Sequence, residues 1–322
     1  MPKQLTLLLL SAGRRVALME CFRCDAEALG IGLRVLAVDR TPALSSACCC
    51  ADGAFSAPAC TSPEYGPYLL ELCRRESVDL VVPTIDTELA IVAELAHALA
   101  QRGTRAVIST PSVVALARDK LLTAEVLTRS GIATPRTVAM SQLNLEDATW
   151  TWPLLAKPRH GSSSIGVRTI TRDEARLLTP TSDLIVQEKL QGPEHTVNMF
   201  FDKDSRLTTV IPHLRIETRG GEVSKAETVR NQVLEDMGWA LSAVLRGARG
   251  VLSFQTMQVP SGAPAVLEVN ARFGGGYPIA HRAGAQFSRW LLEEAAGLES
   301  SANNRWHAGI RMLRYDAAVF TC

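Results

Sequence analysis

Residues 267–278 read LEVNARFGGGYP. In an extended strand, side chains at i, i+2 and i+4 share one face. Glu268, Asn270 and Arg272 therefore point one way, and Val269 and Ala271 the other. The apolar flanks mark a buried segment, where a carboxylate, an amide and a guanidinium need partners or a ligand. The competing reading is an edge strand with its polar face in solvent. A second apolar segment, SFQTMQV (253–259), lies just upstream, joined by PSGAP (260–264). If the two strands pair antiparallel, Gln255 comes beside Glu268. One carboxylate, two amide carbonyls and room for water make an all-oxygen cluster. Such a cluster suits Mg²⁺, a hard octahedral ion usually shared with phosphate oxygens. Arg272, next on that face, can offset phosphate charge.

At 322 residues the chain is long for one hydrophobic core, so two or three packed units are expected. Apolar residues make up 47% and charged residues 21%, with a formal net charge of +1. That is the composition of an ordinary soluble globular protein, with no general attraction for nucleic acid or an anionic membrane. The run Leu5–Leu10 is short, contains Thr6 and ends at two arginines without a cleavage-site pattern. It reads as a strand entering a loop, not as a signal peptide or a membrane span. Seven of the eight cysteines precede residue 74. Cys21 and Cys24 form a lone C-x-x-C inside a helical pattern, so reduced, partly buried thiols fit better than a zinc site. A cytoplasmic location is consistent with that.

Residues 1–110 alternate apolar strands with amphipathic helices. LTLLLL, LRVLAVD, VDLVVPT and RAVIS read as strands; VALMECFRCDAEALG, PYLLELCRRES and ELAIVAELAHALAQRG read as helices. This predicts an α/β fold opening on a doubly wound parallel sheet, with ligands at the carboxyl ends of its strands. Those ends carry SAGRR (11–15), VDRTP (38–42) and TIDTE (84–88). From residue 111 the pattern becomes mixed α+β with antiparallel pairs. TPSVVALARDKLLTAEVLTRSG (110–131) reads as a helix with Asp119 and Lys120 inside it.

Two further motifs carry chemistry. In AKPRHGSSSIGV (156–167) a strand ends at Lys157, and Gly161, Ser162, Ser163 and Ser164 open a loop of small residues. Such a loop lets backbone N–H groups approach an anion, and hydroxyls add donors. It lacks the Gly-Lys-Ser/Thr ending of a P-loop. Lys120 upstream completes a plausible phosphate lid. In DLIVQEKLQGPEHTV (183–197) an apolar strand runs into Glu188, Lys189 and Leu190, and Glu194 follows the Gly-Pro turn. Backbone groups there can pair with an adenine edge, and the carboxylate can accept from ribose hydroxyls; alone, the pattern is also that of a solvated hairpin.

Together, in this order, RDK (118–120), the lysine–glycine loop, LIVQEKLQGPE, ETRGGEVSK (217–225), LEVNARFGGGYP and MLRYD (312–316) resemble the ATP-grasp superfamily. The nearest likeness is to stand-alone proteins similar to the carbamoyl-phosphate synthase large subunit. The resemblance implies a pre-ATP-grasp domain over 1–110, a small lobe over 111–186 and a C-terminal lobe over 187–322. It implies that Lys120 and Lys157 bind ATP phosphates under the 161–166 loop. It places Glu188 and Leu190 at the adenine hinge and Glu194 at the ribose. Gln255, Glu268 and Asn270 would be the metal ligands, Glu268 bridging two Mg²⁺ with Mn²⁺ as a substitute. Arg272 would steady the transferred phosphoryl group. Gln255 is neutral where some relatives carry a carboxylate, which weakens one of the two metal positions.

The implied reaction joins a small carboxylate and an amine through an acyl phosphate, in a protein that is a possible homodimer. It needs alignment and charge neutralisation more than a side-chain nucleophile, so the absence of a Ser-His-Asp pattern is no objection. His160, His195, His213 and His281 are read as structural, with a general base at His213 or His281 as the alternative. Substrate anchors follow from the strand-end rule and the glycine run: Arg14 and Arg15 for a carboxylate, Asp86 and Glu88 for an amine, Arg219 and Lys225 for the acyl phosphate, Gly275 for close backbone approach. Bicarbonate and ammonia chemistry, or a nucleotide-binding regulator without turnover, are the alternatives.

Overall fold

The computed structural model describes residues 3–161, 165–259 and 262–321. A five-stranded parallel sheet runs in the order β3 (Gly53–Ser56), β2 (Gly32–Asp39), β1 (Gln4–Leu9), β4 (Leu80–Val82), β5 (Arg105–Ala106). The unbroken apolar run in β1 follows from burial on both faces. Leu5, Leu7 and Leu9 join the apolar cluster of α1 (Val16–Ala28) and α2 (Ser46–Cys50). Leu8 joins that of α3 (Tyr65–Arg75) and α4 (Leu89–Ala100). Strand order reverses between β1 and β4, so the loops leaving these two strands lie side by side at a topological switch point. They carry Arg15 and Asp86. The segment RAVIS extends the sheet only at Arg105 and Ala106.

The helix expected over 110–131 is two helices, α5 (Pro111–Arg118) and α6 (Lys120–Arg129). Asp119 between them is extended, and its carboxylate accepts from the backbone N–H groups of Leu121 and Leu122. An aspartate at the N-cap satisfies donors that a new helix leaves free. It also makes Lys120 the first residue of α6.

A four-stranded antiparallel sheet follows, in the order β6 (Thr137–Ala139), β9 (Leu184–Gln187), β7 (Leu154–Pro158), β8 (Arg168–Ile170). It has its own core of Met140, Trp150, Leu154, Ile170 and Val186, and α7 (Arg172–Arg176) adds Ala175. The last sheet is antiparallel with six strands: β14 (Pro264–Asn270), β13 (Gly250–Gln258), β10 (Glu194–Phe201), β11 (Leu207–Arg219), β12 (Glu222–Thr228), β15 (Arg311–Leu313). Its strands are apolar on both faces because α8 (Gln232–Val244) covers one. The other meets α9 (Tyr277–Arg282) and α10 (Phe287–Ala296), where Phe200 packs on Phe287 and Trp290. The same cluster reaches Leu5, Leu7 and Leu9 of β1, so one continuous core joins the first and last sheets. No described helix is long and apolar enough to cross a membrane. The seven cysteines at 21, 24, 48, 49, 50, 60 and 73 are free thiols.

A polar knot fixes α1 against α9 and α10. Buried Asp25 accepts from Ser288 Oγ and Gln286 Nε2 and meets His281 Nε2 at 3.0 Å. Asp25→Ala is expected to lower unfolding free energy by about 2–3 kcal/mol, because buried partners lose their acceptor. Asp25→Asn, which keeps one oxygen, should lose less. Urea unfolding measures both, and equal losses would contradict the assignment.

Candidate active site

β13 and β14 pair antiparallel with Gln255 opposite Glu268 and Ser253 opposite Asn270; a bulge follows Gln255. Pro260 and Ser261 of the connection lie outside the described residues. Glu268, Asn270 and Arg272 line one cleft of about 490 Å³, while Val269 and Ala271 are buried in the core. The polar residues are chained: Asn270 Nδ2 donates to Glu268 Oε1 (3.3 Å), and Arg272 Nη2 to Asn270 Oδ1 (3.4 Å). Arg272 also grips Asp86 of the parallel-sheet unit through a two-pronged pair, Nε to Oδ1 at 3.0 Å and Nη2 to Oδ2 at 2.6 Å. Burial works against the Arg272 charge, but Asp86 outweighs it and the net shift of its pKa is upward.

The opposite wall comes from the small sheet. Lys157 on β7 is buried, and its ammonium donates to Gln187 Oε1 (2.8 Å); Gln187 Nε2 in turn donates to Thr137 Oγ1 (2.8 Å). Burial pulls the Lys157 pKa down to about 8, with Glu268 drawing it up and Lys120 pushing it down. Burial also lowers the pKa of Lys120, against the pull of Glu268 and Asp86. Lys120 Nζ donates to the Gly161 carbonyl. Arg159 clasps the capping carboxylate of Asp119 by two bonds of 2.8 and 2.6 Å, which ties the end of β7 to the start of α6. The RDK and KPRH segments are thus one local structure that sets both lysines beside the same cleft.

One end of the cleft is apolar, with Leu155, Leu190, Met257 and Leu267 in its walls, and Glu188 and Lys189 at its rim. The other end is arginine-rich. Arg15 meets Glu222 at 3.2 Å, and Arg314 meets the same carboxylate at 3.2 Å, beside Gly274–Gly276. Burial lowers the Arg15 pKa; Glu222 raises it, and Arg272, Arg314 and Arg14 lower it further. A Cβ on Gly275 would lie 2.9 Å from Arg15 Nη1 and 3.0 Å from Glu222 Cδ. A side chain at this position would have to push aside the tips of Arg15 and Glu222.

The cleft therefore gathers Lys120, Lys157, Gly161, Glu188, Lys189, Leu190 and Glu194 with Gln255, Glu268, Asn270, Arg272, Arg15 and Gly275. Ser162, Ser163 and Ser164 lie outside the described residues. Several expected anchors are elsewhere. Arg14 is exposed and lines no part of the cleft. Arg219 is exposed and paired with Asp316, and Lys225 is paired with Glu217. Their neighbours Thr218, Gly221, Glu222 and Val223 do line the cleft, so the hairpin end reaches the site while these two side chains are exposed and paired elsewhere. Glu88 is fully buried; it accepts from Ser11 Oγ, Thr84 N and Ile85 N, and burial raises its pKa to about 6. It shapes the loop, while Asp86, tied to Arg272, borders an adjoining hollow.

Two charged residues in the cleft, Arg215 and Glu222, escaped the sequence reading, and His213, read as structural with a general base as the alternative, lines the cleft beside them. His213 is buried; Asn198 Nδ2 lies 3.2 Å from its Nδ1, and Nε2 has no hydrogen-bond partner among the described residues. Burial, with Arg215 and His195 adding to it, lowers its pKa to about 3, so the ring is neutral. Arg215 meets Glu194 at 3.3 Å. Burial raises the Glu194 pKa, Arg215 opposes this, and Glu268 adds to it. His281 is held by Asp25, away from this cleft. No group of three or more His, Cys, Asp or Glu side chains placed for a metal ion occurs among the described residues.

Comparison with known proteins fits this geometry. Residues 117–276 match the family model described as ATP-grasp domain, and residues 7–108 match PylC-like, N-terminal domain. The chain carries an ATP-grasp domain. A protein named D-alanine–D-alanine ligase from Ectopseudomonas mendocina (strain ymp) is 30% identical over 166 residues, 42% of this chain and 53% of its own length. A protein of the same name from Stutzerimonas stutzeri (strain A1501) is 29% identical over 182 residues, 48% of this chain and 55% of its own length. The match thus spans about half of these curated relatives. Among solved structures, the biotin carboxylase domain of Hydrogenobacter thermophilus 2-oxoglutarate carboxylase superposes with a TM-score of 0.71 at 18% identity, covering 93% of this chain and 72% of that one. The L-amino acid ligase of Bacillus licheniformis gives 0.68 at 17% identity, over 94% and 76%. These establish the ATP-grasp fold behind a PylC-like N-terminal domain.

The Asp86–Arg272 pair is the strut between that N-terminal domain and the ATP-grasp domain's polar strand, both side chains being mostly buried. Asp86→Ala is expected to lower stability by about 2–3 kcal/mol, since it strands a buried guanidinium. In a double-mutant cycle with Arg272→Met, the second substitution should add little to the first. Full additivity in chemical denaturation would show that the two side chains do not act as a pair.

Proposed function

We propose that this protein is an ATP-dependent carboxylate–amine ligase that works through an acyl phosphate. The observation that carries the reading is the cleft in which Glu268, outside every ion pair among the described residues, faces buried Lys157 from the opposite sheet. Those two charges leave room for an anion chain on one side and a hard cation on the other. The names of the relatives and structural neighbours support the same chemistry. Glu268 and Asn270 offer one carboxylate and one amide oxygen, a donor set that fits Mg²⁺ shared with phosphate oxygens. Bound there, Mg²⁺ would supply charge neutralisation on those oxygens.

Each of the chain's own residues then has a task. Lys120 and Lys157 orient the phosphates. Leu155, Leu190, Met257 and Leu267 enclose the base, with the Glu188–Leu190 backbone at its edge, and Glu194 serves the ribose. Arg272, held by Asp86, faces the transferred phosphoryl group. A substrate carboxylate oxygen bonds to the γ-phosphorus as the bond to ADP breaks. An amine then forms the C–N bond as the C–O bond breaks, phosphate leaves with that electron pair, and the proton lost by nitrogen passes to the departing phosphate. Arg15 and Glu222 at the far end present both signs of charge, which suits substrates carrying a carboxylate and an ammonium. Closure of the cleft excludes water that would hydrolyse the acyl phosphate.

ADP and phosphate release is measured with panels of amino acids as acid and amine, and separately with bicarbonate. Release that needs an amine is the expected result. Release that needs only bicarbonate, or tight ATP binding without release under any pair, would replace this reading by one of its two rivals. In the same assay Glu268→Gln should lose about 10²–10³-fold or more in turnover with its thermal midpoint unchanged.

Lys157 adds a pH signature. It is charged below its folded-state value of about 8 and neutral above it. Affinity for a non-hydrolysable ATP analogue should hold below pH 8 and fall by up to about tenfold per pH unit above it. Binding should take up a proton near pH 8.5. Calorimetry in buffers of different ionisation enthalpy detects that proton, and Lys157→Met should abolish it. A profile identical in the variant would remove Lys157 from the phosphate site.

A further inference from the structure

The expectation of two metal ions requires the Gln255 side-chain oxygen as a ligand. In the amide orientation that gives both of its ends a partner, that oxygen is already engaged. With both ends of its amide satisfied, Gln255 donates from Nε2 to Glu194 Oε1 (3.2 Å) and accepts on Oε1 from Arg215 Nη1 (2.9 Å). The reverse orientation sets oxygen against carboxylate and N–H against guanidinium, so the hydrogen-bond pattern decides between them. Arg215 is itself firmly seated. Its side chain is only 7% exposed and meets Glu194 Oε1 through Nε at 3.3 Å. It also donates through Nη2 to the Gly221 carbonyl (3.0 Å) and lies 3.5 Å from Thr196 Oγ1 through Nη1. A guanidinium stays charged at any pH a protein survives. A divalent cation on Gln255 would compete with it for one neutral oxygen and sit beside a fixed positive charge in a poorly solvated place.

The Glu268 side of the same wall is different. Glu268 makes no ion pair among the described residues; Asn270 Nδ2 donates to its Oε1 (3.3 Å), and Arg272 Nη2 reaches Asn270 Oδ1 at 3.4 Å, a longer contact than the 2.9 Å between Arg215 and the Gln255 oxygen. Resting on the ATP reading above, we infer that this site takes a single divalent cation, on Glu268 and Asn270, and that Arg215 provides the positive charge at Gln255 where a second ion would otherwise sit. Gln255 then acts as a relay between Glu194 and Arg215. Its neutrality follows from its neighbours: a carboxylate there would face Glu194 at hydrogen-bond distance, and a neutral amide can serve a carboxylate and a guanidinium at once.

The test counts Mn²⁺ bound per chain by equilibrium dialysis and electron paramagnetic resonance, with one equivalent of a non-hydrolysable ATP analogue. The unaltered protein is expected to retain the analogue with one Mn²⁺ and no Mn–Mn coupling. Arg215→Met combined with Gln255→Glu should raise the count to two, with coupling visible in the spectrum. Gln255→Glu alone, with Arg215 still present, should stay at one. Two ions in the unaltered protein, or one ion in the double variant with the analogue retained, would overturn the single-ion assignment. Failure of the unaltered protein to retain the analogue at all would instead remove the ATP reading on which it rests.

Discussion

Lys157 and Glu268 face one another's cleft from different sheets, and neither is neutralised by an ion pair within the described protein. Burial disfavours the lysine's charge, and the nearby carboxylate favours it; the outcome is a pKa of about 8. Such a pair would gain by closing into a salt bridge, but each belongs to a rigid strand in a separately cored sheet. Held apart, they form a dipole that a polyanion with its own counter-ion completes from both sides. The rest of the site serves this separation. The Asp119–Arg159 clasp places Lys120 on the lysine side, and the Asp86–Arg272 strut steadies the carboxylate side.

The N-terminal domain contributes Arg15 to the cleft, and Asp86 and Thr87 to an adjoining hollow that Lys120 and Gly161 also line. Its strand order reverses between β1 and β4, so the loops after these strands open beside each other. One delivers Arg15 to Glu222, the other Asp86 to Arg272. Both are ion pairs between the N-terminal domain and the ATP-grasp domain. A displacement of one domain against the other would strain both pairs together, so the arginine-rich end of the cleft and the domain packing are one mechanical unit.

Much of this was legible from residue spacing. The period of two in LEVNARF put three polar side chains on one face, and the turn-bounded apolar run before it fixed the Gln255–Glu268 pairing. The alternation of strands and helices gave the parallel sheet. Other features were hidden for physical reasons. Helical periodicity continues through Asp119, so nothing in the apolar pattern announced that its side chain would end one helix and cap the next. Arg215 lies two residues beyond His213 on β11, as a solvent-facing side chain could, and its burial became visible only once β10 and β12 flanked that strand. Arg219 and Lys225 were read as anchors from their place at a strand end, but both side chains are exposed and already paired, with Asp316 and Glu217.

The two ends of the cleft differ in how their charges are arranged, and selectivity should follow from the difference. At the lysine end, Lys120 and Lys157 have no carboxylate partner at hydrogen-bonding distance among the described residues, so an anion entering there would meet cations that have only neutral oxygens to leave. Attraction there is strong and general. At the other end Arg15 and Arg314 are already paired with Glu222, and Arg272 with Asp86. A ligand carrying one charge can bind only by stranding the opposite member of a pair in a partly buried place, which is unfavourable. A ligand carrying both signs exchanges one pairing for another and leaves nothing uncompensated. Discrimination at this end is therefore a difference between two paired states rather than a sum of attractions.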